Sequence, residues 1–172
     1  MSEFLSELLS IGGAELEREE AWLRREAHDK GAYGGILSID LVCFCPYVFT
    51  RAVLPKYRAK HAFTHEGRPV ADIDIVRGRG RHAFIVDHWK AEPREALEED
   101  VERLGQREGE LHLLVMSGNR PTDTEDRMRQ VDGLPGVGSR AGMHRLDAET
   151  GAGEIHEFWV GAWTVRRPRP AR

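Results

Sequence analysis

The stretch Val70-Ala71-Asp72-Ile73-Asp74-Ile75-Val76-Arg77-Gly78-Arg79-Gly80-Arg81-His82-Ala83-Phe84-Ile85-Val86-Asp87-His88-Trp89-Lys90 contains two apolar runs joined by alternating arginine and glycine. In the first run, apolar and acidic residues alternate. On an extended chain Ala71, Ile73 and Ile75 point one way, and Asp72 and Asp74 the other. Ala83–Trp89 has the composition of a second strand. The glycines of Arg77–Arg81 make the connection a turn. The segment is therefore expected to form a strand pair with two carboxylates on one face.

Which residues join those carboxylates depends on the turn, because a slip of one position moves a side chain to the other face. A two-residue loop at Arg79-Gly80 pairs Gly78 with Arg81. It places Asp72 and Asp74 on a face with Ile85, Asp87 and Trp89. A three-residue loop pairs Arg77 with Arg81 and places them with Val86, His88 and Lys90. The first register gathers Asp72, Asp74 and Asp87, an all-oxygen set suited to Mg²⁺ or Mn²⁺. The second adds a histidine and a lysine, which could orient a nucleophile or neutralise transition-state charge.

Working outward, the first thirty residues are expected to be helical. Phe4, Leu5, Leu8 and Leu9 form an apolar stripe, Gly12-Gly13 interrupts it, and Leu16, Leu23 and Ala27 resume it. One short and one longer helix, or a single kinked one, would fit. Ile36–Cys45 reads as a buried strand ended by Pro46. Val48–Tyr57 fits either a short helix or an irregular connection. Ala62–His65 reads as a strand. Pro93 suits a helix start. The following helix buries Leu97, Val101 and Leu104 and keeps Glu95, Glu98, Glu99 and Asp100 mostly on its wet side. Leu111–Met116 is a short apolar strand. Its long crossover from Ala83–Trp89 predicts a parallel pair. Thr122-x-x-Glu125 resembles a capping box opening a helix through Val131. Gly133–Gly142 reads as a glycine-rich loop. Gly142–Asp147 and Glu154–Trp163 read as a C-terminal hairpin turned at Thr150–Gly153.

The expected fold is α/β (α+β): one domain over residues 1–165, a mixed sheet flanked by helices, and a basic tail over 166–172. The 172 residues are enough to bury a substantial core. No apolar run reaches the roughly 20 residues that span a bilayer. The N-terminus carries acids where a signal peptide carries positive charge. A cytoplasmic protein without a membrane partner is expected, with a homodimer left open. Cys43 and Cys45, the only cysteines, read as free buried thiols. Net charge is −4, which excludes a global basic field. Local basic groups remain at Arg77, Arg79 and Arg81 and in the tail at Arg166, Arg167, Arg169 and Arg172, and either could hold phosphate.

Other spacings point to structure more than chemistry. His61-x₃-His65 would suit metal ligation on a helix, but a strand is expected there. Gly133-Leu-Pro-Gly136-Val-Gly138-Ser-Arg140 lacks the preceding strand and lysine of a phosphate loop. Trp159 and Trp163, four apart on a strand, share a face and read as core.

The element order, with Asp72 or Asp74 on one strand, Phe84-Ile-Val-Asp87-His88-Trp89-Lys90 on the next, the Asp100–Leu104 helix and the Leu111–Met116 strand, resembles the core of the PD-(D/E)xK nuclease superfamily. The resemblance covers roughly Ala62–Gly118. It implies a restriction-endonuclease-like core and Mg²⁺- or Mn²⁺-dependent phosphodiester hydrolysis on nucleic acid. Asp72, Asp74 and Asp87 would hold the metal. Asp72, Asp74, Asp87, His88 and Lys90 would form the catalytic set. Arg77, Arg79 and Arg81 would contact the substrate, and Glu15, Glu17 or Glu20 would supply a further acid. One departure stands out. The family pattern is acid, any residue, lysine, whereas here the window reads His88-Trp89-Lys90 with Asp87 one position early. A bulge could unite Asp87 with Lys90. Otherwise His88 replaces the acid, or the site has lapsed into a non-catalytic module binding nucleic acid or protein. A small-molecule enzyme using the same acidic site is a further alternative.

Overall fold

The computed structural model describes residues 3–29, 46–62, 70–88, 94–119, 124–149 and 155–167. The expected strand Ile36–Cys45, both cysteines, Trp89, Lys90, Pro93 and Thr122 lie outside them, as do Arg169 and Arg172 of the tail.

The chain opens with one uninterrupted helix, α1 (Glu3–Asp29), rather than a broken one. A helical glycine costs about 1 kcal/mol relative to alanine, so Gly12-Gly13 looks like a break in sequence. Packing explains why it is not. A Cβ on Gly12 would lie 2.1 Å from the Phe49 ring, and one on Gly13 would lie 2.5 Å from the His144 ring. The two glycines let those rings seat against the helix axis. Phe4, Leu5, Leu8, Leu9 and Leu16 are buried on the same helix. Each such side chain contributes about 1.5–3 kcal/mol through burial.

A second helix, α2 (residues 46–53), settles the Val48–Tyr57 alternative in favour of a helix. Thr50 Oγ1 donates to the Pro46 carbonyl at 2.6 Å, and Phe49 and Val53 are fully buried. A 3-10 turn, Leu54–Lys56, leads into β1 (Arg58–Ala62). The first strand therefore precedes the expected Ala62–His65, whose last three residues are not described.

The hairpin of β2 (Ala71–Arg77) and β3 (Gly80–His88) forms as expected. Its turn is Gly78-Arg79, one position earlier than the two-residue loop considered from sequence, with Arg77 opposite Gly80. Gly78 adopts φ +61°, the left-handed conformation that tight hairpin turns need and glycine supplies. The helix α3 (Arg94–Gly105) then crosses to β4 (Glu110–Asn119), which pairs in parallel with β3 as the crossover predicts. The helix α4 (Thr124–Asp132) follows.

The glycine-rich Gly133–Gly142 stretch is mostly strand, not loop. It forms the first half of β5 (Val137–Glu149), paired antiparallel with β6 (Ile155–Val165). Register shifts between Val137 and Gly142 absorb the irregular composition there. The C-terminal hairpin is therefore longer than expected.

The strands form one mixed sheet in the order β1-β2-β3-β4-β6-β5. Its two faces bury separate cores. Ile73, Ile75, Phe84, Val86, Leu114, Met116 and Val160 face α1 and α2. Ala83, Ile85, Leu113, Val115, Trp159 and Trp163 face α3 and α4. Both tryptophans are fully buried, with rings edge to face at 6.3 Å. Among the described residues, no helix is long and apolar enough to cross a membrane.

Candidate functional site

The pairing of β2 with β3 answers the register question. Asp72 lies opposite Ile85 and Asp74 opposite Ala83. Strand alternation then puts Asp87 on the same face, so Asp72, Asp74 and Asp87 share the side covered by α3. The pairing of β3 with β4 runs without a shift from His82 through His88, so no bulge interrupts β3 within that span. His88 ends β3, and Lys90 lies outside the described residues.

The three aspartates differ in environment. Asp74 is half exposed, Asp72 is partly covered, and Asp87 is buried. Two arginines reach onto the first two. Arg103, near the end of α3, pairs with Asp72 and also with Asp100 at 2.7 Å. Arg107, in the turn after α3, lies 3.3 Å from Asp72 and 2.6 Å from Asp74. It also donates to the Phe84 carbonyl at 3.1 Å. Asp100 is fully buried rather than on the wet side of α3, because the short step from position 100 to 103 lets the Arg103 guanidinium cover it.

The leading helix does not supply an acid to this face. Alternation on β2 turns Ile73 and Ile75 toward α1 and the aspartates away from it. Glu15 instead pairs with Arg18 and Arg51, and Glu17 pairs with His144 at 2.9 Å.

Arg77 and Arg81 close the end of the hairpin, Arg79 sits in its turn, and all three are exposed. The Arg77 guanidinium lies over the Phe4 ring at 5.1 Å, and Arg81 pairs with Glu108 at 2.7 Å. Arg79, at the tip, has no acidic partner among the described residues. Arg167, from the chain after β6, donates to the Gly109 carbonyl at 3.0 Å and joins the same end.

A second cluster sits on the opposite face, where β3 and β4 begin. His82 lies beside Glu110 in the parallel ladder, and His112 follows Glu110 by two, on the same face. Glu110 Oε2 is 3.5 Å from His82 Nδ1 and 3.8 Å from His112 Nε2. Among the described residues this is the only set of three histidine, cysteine or acidic side chains whose ligand atoms lie within 4.8 Å of one another. Burial pulls the His112 pKa down to about 4, and His82 adds to the effect. Burial also lowers His82, with Arg77 contributing and Glu110 opposing.

Sequence reasoning missed Arg103, Arg107, His82, Glu110 and His112. Arg103 lies in α3 and Arg107 in the turn after it, and their link to Asp72 exists only in the folded chain. Glu110-x-His112 carries a same-face signal on a strand, but its junction with His82 exists only through the parallel register. Compared with family models, with curated proteins and with solved structures, the chain matches none.

Proposed function

We propose that this chain is a nucleic-acid-binding module on a nuclease-like scaffold whose acidic face does not run metal-dependent hydrolysis. The observation that carries this is the placement of Arg103 and Arg107 on Asp72 and Asp74. A divalent cation there would have to displace two guanidinium groups or sit beside them. Repulsion between unit charges is on the order of 4 kcal/mol at about 4 Å near a protein surface, and a dication doubles it. At the turn, by contrast, Arg79 is exposed at the tip with no acidic partner among the described residues, and its guanidinium is open to phosphate oxygens.

Metal-dependent phosphodiester hydrolysis remains the second reading. It is favoured by the shared face of Asp72, Asp74 and Asp87 and by the strand–helix–strand order around them. It requires the two arginines to swing away when Mg²⁺ or Mn²⁺ arrives.

One pair of measurements separates the two. Fluorescence anisotropy with labelled single-stranded and duplex oligonucleotides is expected to show binding at low salt that weakens in Arg77→Glu/Arg79→Glu. The same oligonucleotides incubated with Mn²⁺ are expected to stay intact. No binding at low salt sinks the module. Cleavage that disappears in Asp74→Asn establishes the hydrolase in its place.

A further inference from the structure

We propose that His82, Glu110 and His112 form a binding site for a zinc-class divalent cation, held by two imidazole nitrogens and one carboxylate oxygen. The site is independent of the acidic face, from which the sheet separates it.

The donor atoms already stand near the spacing that a metal imposes. Zinc bonds to nitrogen and oxygen run about 2.0–2.2 Å, so tetrahedral geometry sets neighbouring ligand atoms about 3.4 Å apart. The observed separations from Glu110 Oε2 are 3.5 Å to His82 Nδ1 and 3.8 Å to His112 Nε2. A shift of a few tenths of an ångström brings these two separations to that spacing, and the three donors all lie within 4.8 Å of one another. These side chains also start from adjacent strands of a rigid ladder, so their spacing is inherited from the backbone.

The histidines also lack other employment. His112 is 3% exposed, yet neither of its ring nitrogens has a hydrogen-bond partner, and neither does His82 Nδ1. A buried polar atom left without a partner costs about 1–3 kcal/mol. A metal bonded to His82 Nδ1 and His112 Nε2 satisfies two of these three atoms. Imidazole ligates a metal through an unprotonated ring nitrogen.

The surroundings suit this role. The Phe4 ring lies 4.5 Å from the His82 ring and Phe84 lies 4.9 Å from His112, so aromatic carbon backs the two imidazoles. The Glu110 side chain is 68% exposed and gives a cation a route from solvent. Three protein ligands with a water-facing fourth position is the pattern of open zinc sites. Arg77 opposes the cation, and the Glu110 carboxylate supplies the offsetting charge.

The test uses the untagged full chain freed of metal with a chelator. Calorimetry with Zn²⁺ is expected to give one equivalent bound, and Zn²⁺ to raise Tm. Co²⁺ is expected to give the visible absorption of a low-coordinate site. Glu110→Gln alters an exposed side chain and leaves the core intact, so its Zn²⁺ affinity should fall at least about tenfold, the least that losing even a hydrogen-bond partner behind a ligand costs a metal site. His112→Phe, which keeps an aromatic ring in place, should abolish the cobalt band. Glu99→Gln, on the exposed side of α3, should bind as the parent does. No Zn²⁺ binding by the parent, or affinity unchanged in Glu110→Gln, overturns the site. If His112→Phe fails to fold, the Glu110→Gln comparison still decides.

Discussion

Arg107 sits 2.6 Å from Asp74 and ties the turn after α3 to the half-exposed carboxylate on β2. Together with Arg103 it sets two positive charges against the carboxylates of Asp72 and Asp74. The pairing makes α3 an electrostatic cover for the hairpin as well as an apolar one.

Arg103→Ala is therefore expected to destabilise the fold, chiefly by taking the Arg103 cation from the fully buried Asp100. Removing one member of a fully buried pair costs about 3–5 kcal/mol, and partial exposure of Arg103 reduces this to about 2 kcal/mol. Denaturant unfolding measures it. A loss below about 0.5 kcal/mol would place these contacts with ordinary surface pairs. The double variant Arg103→Ala/Arg107→Ala should also gain Mn²⁺ affinity at Asp72 and Asp74, detectable by calorimetry.

Gly12→Ala and Gly13→Ala test the seating of α1. In an open helix either change would stabilise by about 1 kcal/mol. Here the new methyl group enters the Phe49 or His144 ring, so a net loss of about 1–3 kcal/mol is expected, as for other overpacked cores. A rise in Tm for either variant contradicts the packing described.

The metal-free protein should lose stability as pH falls from about 6.5 toward 4. The sign follows from His112. Its folded pKa, near 4, lies below the ordinary value of 6.5, so the unfolded chain binds more protons throughout that window. Stability therefore rises with pH there, by up to roughly 3 kcal/mol from this group. Unfolding midpoints at pH 7 and pH 4.5 provide the measurement, and His112→Phe should flatten the difference. An equally steep dependence in that variant assigns the effect to other groups.

Trp163→Phe removes an indole N–H that donates to Asp132 Oδ1 at 2.7 Å. A hydrogen bond to a charged acceptor contributes about 1.5–3 kcal/mol, and the smaller ring adds a cavity cost. A drop of about 2 kcal/mol is expected in thermal or denaturant unfolding, and no change would show that Asp132 is equally well served by water.

If the turn arginines contact phosphate, affinity for oligonucleotides should depend steeply on salt. Each lost contact lowers the slope of log affinity against log salt by about 0.9. Arg77→Glu/Arg79→Glu should thus flatten it by about 2. Anisotropy titrations at several salt concentrations read this directly, and an unaltered slope removes the turn from the interface.

Local pattern made the hairpin legible in sequence. Gly78 marks the turn, and alternation from Ala71 to Val76 puts the aspartates on the face opposite the Ile73 and Ile75 core. The β3–β4 parallel pair was legible too, since only a long crossover joins those strands. Other features depended on distant partners. Gly12 and Gly13 look like breakers until Phe49 and His144 arrive against them. Gly133–Gly142 looks like a loop because its strand character comes from pairing with β6. The arginine cover on Asp72 and the His82–Glu110–His112 cluster each join residues about thirty positions apart, and only a folded register brings them together.

The register shifts between Val137 and Gly142 have a further consequence. Among the described strands β5 ends the sheet on its side, and it runs thirteen residues. A straight border of unpaired amide and carbonyl groups would invite a strand from another chain. The displaced residues interrupt its repeat near the start of the strand. An edge interrupted in this way is a poorer template for pairing with another chain over Val137–Gly142.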